Sequence, residues 1–289
     1  MSGGAVLVAG ASGAVGFEIV RALRATNVDV IATYRTPRPE TVERLRALGA
    51  RAGQWDMADT DRGRALLREA SRAIFTPILT VSEKAATLAP EKPLLFFSSN
   101  NVGVDDQSSV YRLLKAAEEA VTGAAPGAMI LRPTMIYGYP GDGNLSALMA
   151  AMRRFPVTPL VGSGRAQQQP VFYRDLAQIA AGLITEDAPP VGIHAVAGPD
   201  ALMQSDLYAA VRSAIDAKGV TVRVPTQLVG AIAKLGLGLG VRFPLSPAQI
   251  ARADRDKTPV GDRVLYGDTA LADGLAELAA ALDGAAPGA

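Results

Sequence analysis

The sequence predicts an α/β protein built on a doubly wound parallel sheet, with a smaller C-terminal substrate-binding lobe. Three observations carry that expectation. Apolar runs alternate with amphipathic segments at intervals of about 20 to 25 residues, the rhythm of strand–helix–strand crossovers. The first run, Ala5–Ala9, is continuously apolar, as a strand buried on both faces must be. It passes directly into Gly10-Ala11-Ser12-Gly13-Ala14-Val15-Gly16 and then into a helical pattern.

Each element has a local reason. Phe17–Leu23 places Ile19, Val20 and Leu23 on one side of a helix, and Val28–Thr33 is a β-branched second strand. Pro39 opens a helix through Leu48, because proline costs no helical hydrogen bond in the first turn. Arg51–Trp55 reads as a weak third strand and Thr60–Ala70 as a helix with a capping residue at its start. Ala73–Phe75 and Leu94–Phe97 are the fourth and fifth strands, Ser108–Thr122 a helix, and Ala128–Leu131 the sixth strand. Beyond Pro133 the turn-rich pieces Tyr139–Gly143 and Gly162–Gly164 separate helices near 144–154 and 173–185. A strand is expected near 191–196, with helices near 203–217, 226–236, 246–255 and 270–282. Residues 1–135 are therefore expected to form the nucleotide-binding core. Residues 136–283 complete it and build the smaller lobe at the sheet's C-terminal edge, and 284–289 form a disordered tail.

Composition narrows the chemistry. With 29 basic against 28 acidic residues and no basic face interleaved with aromatics, nucleic acid is not expected as a partner. The chain has no cysteine, which excludes disulfides, thiolate metal sites and cysteine nucleophiles and fits a cytoplasmic location. A single histidine, His194, disfavours a histidine metal site or a Ser-His-Asp triad; alternating with apolar residues, it reads as structural. Met1-Ser2-Gly3-Gly4 has no positive stretch, so no signal peptide is expected. The apolar run Val224–Leu245 is broken by Lys234, glycines and prolines, and no membrane span is expected there.

The glycine loop, between a buried strand and an amphipathic helix, points to a dinucleotide. Glycine admits unusual backbone angles and clears side chains from the helix N-terminus, where N–H groups and the dipole favour a pyrophosphate. The spacing here is G-x-x-G-x-x-G. The second strand ends Thr33-Tyr34-Arg35 with no acid to hold a ribose 2′-hydroxyl, while Arg35, assisted by Arg38, suits a 2′-phosphate. NADP(H) is thus favoured, with NAD(H) the alternative.

After the fifth strand come Ser98-Ser99-Asn100-Asn101 and then Tyr111 and Lys115, one helical turn apart. Free tyrosine ionises near pH 10, and a neighbouring ammonium favours the phenolate and suits it to acid–base work. With the glycine loop, these residues make the chain resemble the short-chain dehydrogenase/reductase superfamily with its Rossmann fold, in the extended and atypical branches that include NAD-dependent epimerases and dehydratases. Leu131–Gly138 and Gln169–Ala177 are similar to later segments of epimerase-like members. The resemblance implies Tyr111 as the acid/base, Lys115 on the nicotinamide ribose and tuning Tyr111, and Ser99 on the substrate oxygen. It further implies cofactor contacts from Gly10 to Gly16, Tyr34, Arg35, Asp56, Met57, Phe75, Thr76, Pro77, Ser98, Lys115, Pro133 and Met135. The family's tyrosine after Val102 and its Asn-Ala-Gly type turn after the fourth strand are absent; Phe75-Thr76-Pro77 stands in the second place.

The simplest activity is NADPH-dependent reduction of a small-molecule carbonyl. Dehydration is disfavoured, because Asn100-Asn101 replace the acid pair that dehydratases of the superfamily carry there. Two alternatives remain open: an epimerase with retained NAD, and a non-catalytic NADP(H)-binding sensor or accessory protein. Monomer and homodimer are equally compatible with the sequence.

Overall fold

The computed structural model describes residues 4–102, 104–105, 108–228, 253–261 and 263–284, which form two compact units. The first comprises Met1–Thr134, Tyr173–Ala197 and Pro259–Gly267, and the second the remaining segments.

The first unit is a single parallel sheet of eight strands. Its strands are β1 Ala5–Ala9, β2 Val30–Tyr34, β3 Arg51–Gln54, β4 Ala70–Phe75, β5 Leu94–Phe97, β6 Met129–Pro133, β11 Gly192–Ala197 and β14 Val264–Tyr266. They lie in the order β14-β11-β6-β5-β4-β1-β2-β3, every neighbouring pair parallel. This is the Rossmann arrangement the apolar runs predict, extended by two strands. Strand order reverses between β1 and β4, which opens the crevice where such sheets bind ligands. Every residue of β1 and β2 is buried, as continuous apolar strands covered on both faces require.

The helices of this unit are α1 Ala14–Ala25, α2 Pro39–Ala47, α3 Thr60–Glu69, α4 Leu79–Ser82, α5 Ser109–Ala124 and α7 Tyr173–Thr185. A 3₁₀ turn over Glu83–Thr87 follows α4; neither piece is evident in the sequence. α3 starts where the sequence places it, capped by the Asp59 carboxylate, which accepts the Arg62 N–H at 2.9 Å. One face of the sheet is filled by Phe75 stacked on Phe96, with centroids 4.7 Å apart, and by the edge of Trp55 against Phe75. α1 packs on α7, and there Glu18 pairs with Arg21 and lies 3.8 Å from Arg174.

The second unit holds three two-stranded pairs, which the sequence does not announce. They are β7 Ile136–Tyr137 with β10 Val171–Phe172, β8 Val157–Val161 with β13 Val220–Val224, and β9 Gln167–Gln168 with β12 Leu202–Met203. Its helices are α6 Leu145–Arg154, α8 Gln204–Ala214 and α9 Leu271–Gly284. A loop between β8 and β9 carries Gly162 at φ +91°, where the Asp254 carboxylate fills the place of a side chain and accepts the Ser163 N–H at 2.6 Å. The expected helices near 226–236 and 246–255 fall mostly outside the described residues, as do most of the apolar run 224–245 and positions 285–289; 253–255 form a turn. Among the described residues no helix is long and apolar enough to cross a membrane.

His194 sits in β11 between β6 and β14, only 2% exposed, with Nε2 3.2 Å from the Val191 carbonyl oxygen. Burial first, and then the Arg263 cation, push its pKa below the ordinary 6.5, against the opposing Val191 bond. Well above pH 6.5 the ring is neutral both folded and unfolded. As pH falls below that, the unfolded chain takes up the proton first, so stability declines until the folded-state pKa is passed. Denaturant unfolding between pH 5 and pH 7 (roughly the histidine range) should show this decline in the wild type and lose most of it in His194→Gln. Equal slopes for the two proteins would refute the assignment.

Candidate functional site

The turn between β1 and α1 is built around missing side chains. Gly10 has φ +76°, and a Cβ there would strike the Thr76 hydroxyl. At Gly16 a Cβ would collide with the Gly10 carbonyl oxygen and come within 3.0 Å of the Ala11 Cα. The Ala11 N–H donates to the Thr33 carbonyl at 2.8 Å, and the Gly13 N–H to Gly10 at 3.0 Å. Gly13 is the N-cap of α1, without a side-chain cap and with no acid in the first turn. The first helical bond is Phe17 N–H to Gly13, so the amides of Ala14, Val15 and Gly16 precede it at a helix end suited to an anion. Ser12, Ala14 and Val15 are half-buried around it.

At the end of β2, Tyr34 is buried, whereas Arg35 and Arg38 are exposed and in no ion pair with a described residue. The Arg35 carbonyl accepts the Gln54 amide at 2.9 Å, which steadies the end of the strand. Asp56 is exposed and accepts the Ala58 N–H at 3.0 Å; Met57 packs against the core beneath. Phe75 is fully buried, a packing residue by position. Thr76 donates its hydroxyl to the Ala9 and Gly10 carbonyls at 2.9 and 3.2 Å, clamping the glycine turn to β4, and Pro77 lies beside Gly10.

The loop after β5 is held from both sides. Its Ser98 hydroxyl donates to Glu118, which is 2% exposed and pairs through both carboxylate oxygens with Arg132, Nε to Oε1 at 2.9 Å. Ser98 and Asn100 N–H groups donate to the Leu131 and Pro133 carbonyls, and the Asn100 side-chain oxygen accepts the Val260 N–H at 2.9 Å. Ser99 and Asn101 are left. The Asn101 N–H donates to Ser99 Oγ at 3.3 Å, and its carboxamide donates to the Tyr111 hydroxyl at 3.0 Å. Lys115, a turn beyond Tyr111 on α5, is exposed. Pro133 ends β6, and Met135 belongs to the second unit, where its carbonyl accepts the Val171 N–H.

The expected Ser99 and Tyr111 are thus linked through Asn101, a residue that sequence reasoning treats only as an absent acid. Ser98 has its hydroxyl turned to Glu118, a residue not singled out in the sequence, although its place three residues after Lys115 in the same helix was visible. Arg165 is exposed, its N–H on Ser163 Oγ at 3.2 Å. Among the described residues no cluster of potential ligands could hold a metal.

Comparison with known proteins bears on the fold that carries this site. Residues 6–106 match the NAD dependent epimerase/dehydratase family. The chain is 28% identical over 198 residues to NADH dehydrogenase [ubiquinone] 1 alpha subcomplex subunit 9, mitochondrial, of Arabidopsis thaliana. That match covers 66% of this chain and 49% of the relative, about half its length. Among solved structures, triphenylmethane reductase of Citrobacter sp. complexed with NADP(H) superposes with a TM-score of 0.73 at 17% identity, covering 95% of this chain and 100% of that one. A nucleoside-diphosphate-sugar epimerase of Pseudomonas aeruginosa gives 0.71 at 19% identity, covering 97% of each. At these identities the structures establish a shared fold, the Rossmann-like α/β fold.

Two substitutions test the construction of the site. Gly16→Val should weaken nicotinamide-dinucleotide binding by at least about tenfold, because the side chain must displace the backbone that shapes the anion site. Isothermal titration reads this directly, and undiminished affinity would remove the turn from the binding site. Glu118→Ala leaves Arg132 without its buried partner and should cost about 3–5 kcal/mol in chemical denaturation. A loss under about 1 kcal/mol, the range of an exposed pair, would show that this one is not structural.

Proposed function

We propose that this chain binds NADPH and reduces a carbonyl group of a small molecule. The observation that carries the reading is the Ser99–Asn101–Tyr111 hydrogen-bonded set at the end of β5, in the same sheet as the glycine turn at the end of β1. The residues present fit a dinucleotide. Gly10 and Gly16 form a cradle that a Cβ would fill, and the first turn of α1 offers N–H groups to a pyrophosphate. Arg35 and Arg38, exposed at the end of β2, suit a 2′-phosphate. The NADP(H) complex of triphenylmethane reductase, a fold neighbour, supports the same choice.

When bound, the nicotinamide supplies the hydride. The chain's own residues supply the rest. Tyr111 gives a proton to the carbonyl oxygen as charge develops there, and Ser99 hydrogen-bonds the same oxygen. Lys115 contributes a positive charge one helical turn from Tyr111. Asn100 and Asn101 provide no carboxylate for abstracting a proton from carbon, which supports reduction over dehydration.

A second reading has its own support. The similarity to a subunit of a mitochondrial NADH dehydrogenase supports an accessory role in a larger assembly. The two readings separate experimentally. Protein purified without added cofactor, denatured and analysed by mass spectrometry, should release little nucleotide, and the emptied protein should bind NADPH more tightly than NADH. Arg35→Ala should weaken NADPH binding by about tenfold or more, as for one charge-assisted contact, and leave NADH nearly unchanged. Stoichiometric NAD in the purified protein would replace the reductase by a retained-cofactor epimerase. In a carbonyl panel followed by NADPH fluorescence, turnover abolished by Tyr111→Phe supports the reductase; no turnover with any compound, despite tight NADPH binding, supports the accessory role.

A further inference from the structure

Of the four polar side chains in the loop Ser98–Asn101, two are engaged in holding the fold. Ser98 is bound to Glu118, and Asn100, 4% exposed, accepts the Val260 N–H. Asn101 differs from them in what it touches: its main chain meets Ser99 Oγ and its side chain meets the Tyr111 hydroxyl. One residue therefore contacts both groups assigned to the substrate oxygen.

We infer that Asn101 is a positioning residue for Tyr111 and sets the type of reaction the site performs, an inference that rests on the reductase reading. Its carboxamide nitrogen is a donor and cannot accept the phenolic proton. Donating to the phenol oxygen, it occupies one acceptor direction and turns the O–H toward another acceptor. The same donor stabilises the phenolate left after transfer. In the step, the Tyr111 O–H bond breaks and its proton bonds to the carbonyl oxygen, whose carbon takes the hydride. The carbonyl is reduced and the dinucleotide oxidised. A carboxylate at position 101 would do the reverse: it would accept from the phenol, hold its proton away from substrate, and disfavour the phenolate by like charge. The amide thus commits Tyr111 to protonating oxygen.

The test uses full-length protein carrying [13Cζ]tyrosine. The chain has seven tyrosines, and Tyr111→Phe identifies the Tyr111 signal by its disappearance. Asn101→Ala and Asn101→Asp should each move that signal and leave the other six in place. With a carbonyl compound that the wild type reduces, Asn101→Ala should lower kcat by about tenfold, the kinetic equivalent of one hydrogen bond, and Asn101→Asp should lower it further. KM and the NADPH affinity should stay within about twofold, a split that damage to packing would not produce. An unmoved Tyr111 signal in Asn101→Ala overturns the inference, as does an Asn101→Asp protein with wild-type kcat. A wild type that reduces nothing while its Tyr111 signal responds to Asn101 overturns the reductase reading and leaves the Asn101 contact standing.

Discussion

A carboxylate that is 98% hidden from solvent has to be paired, and the pairing of Glu118 organises the candidate site. Arg132 on β6 meets both oxygens, and Ser98 at the end of β5 donates to one of them. Three elements are thereby locked together: the helix that carries Tyr111 and Lys115, the strand that delivers Ser99, and the strand that ends at Pro133. Helix geometry carries the constraint outward. Tyr111 precedes Glu118 by seven residues, which at about 100° per residue is only about 20° short of two full turns. Burying Glu118 therefore also turns Tyr111 toward the β5 loop. Lys115, between them, falls about 60° to one side of Glu118, and the structure leaves it exposed.

The other end of the site depends on space left empty. Gly10 and Gly16 are required by contact, since the added carbon would meet Thr76 at the first and the Gly10 carbonyl at the second. Thr76 explains why the turn keeps its shape: its hydroxyl and N–H both bond to the end of β1. A threonine can do this at the place where the superfamily that the sequence resembles carries an Asn-Ala-Gly type turn, so that departure in sequence keeps a structural function.

Much of the first unit was legible because its central strands are buried on both faces. Runs such as Val6-Leu7-Val8 and Leu94–Phe97 have no polar alternation to confuse them, and the glycines mark the turn that follows β1. Legibility failed where length ran out. β14 has three residues and joins the sheet from 67 positions beyond its neighbour β11, and most strand pairs of the second unit involve two-residue strands. Such pieces are set by long-range pairing and leave no periodicity to read. In the site, residue types were legible and directions were not. Ser98 and Ser99 are equivalent in sequence, yet pleating sends one hydroxyl to Glu118 and leaves the other for Asn101. Asn101 reads in the sequence only as a missing acid, because its amide gains a role only when the phenol it faces is in view.

Sheet order argues for a long, two-ended ligand. From the end of β2, where Arg35 lies, to the end of β5, where Ser99 follows, the sheet takes three steps, through β1 and β4. At about 4.8 Å per step the two ends are separated by about 14 Å, with the glycine turn at the intervening β1. A compact anion at the helix N-terminus would reach neither. A molecule with a charged group at one end, a pyrophosphate in the middle and a reactive ring at the other would meet all three, in the order in which the strands present them. On the proposed reading the cationic end would select the nucleotide, the glycine turn would hold its phosphates, and the Ser99–Asn101–Tyr111 set would lie where the ring faces a substrate. Each feature alone has ordinary structural explanations; their order along one sheet edge is what a dinucleotide requires.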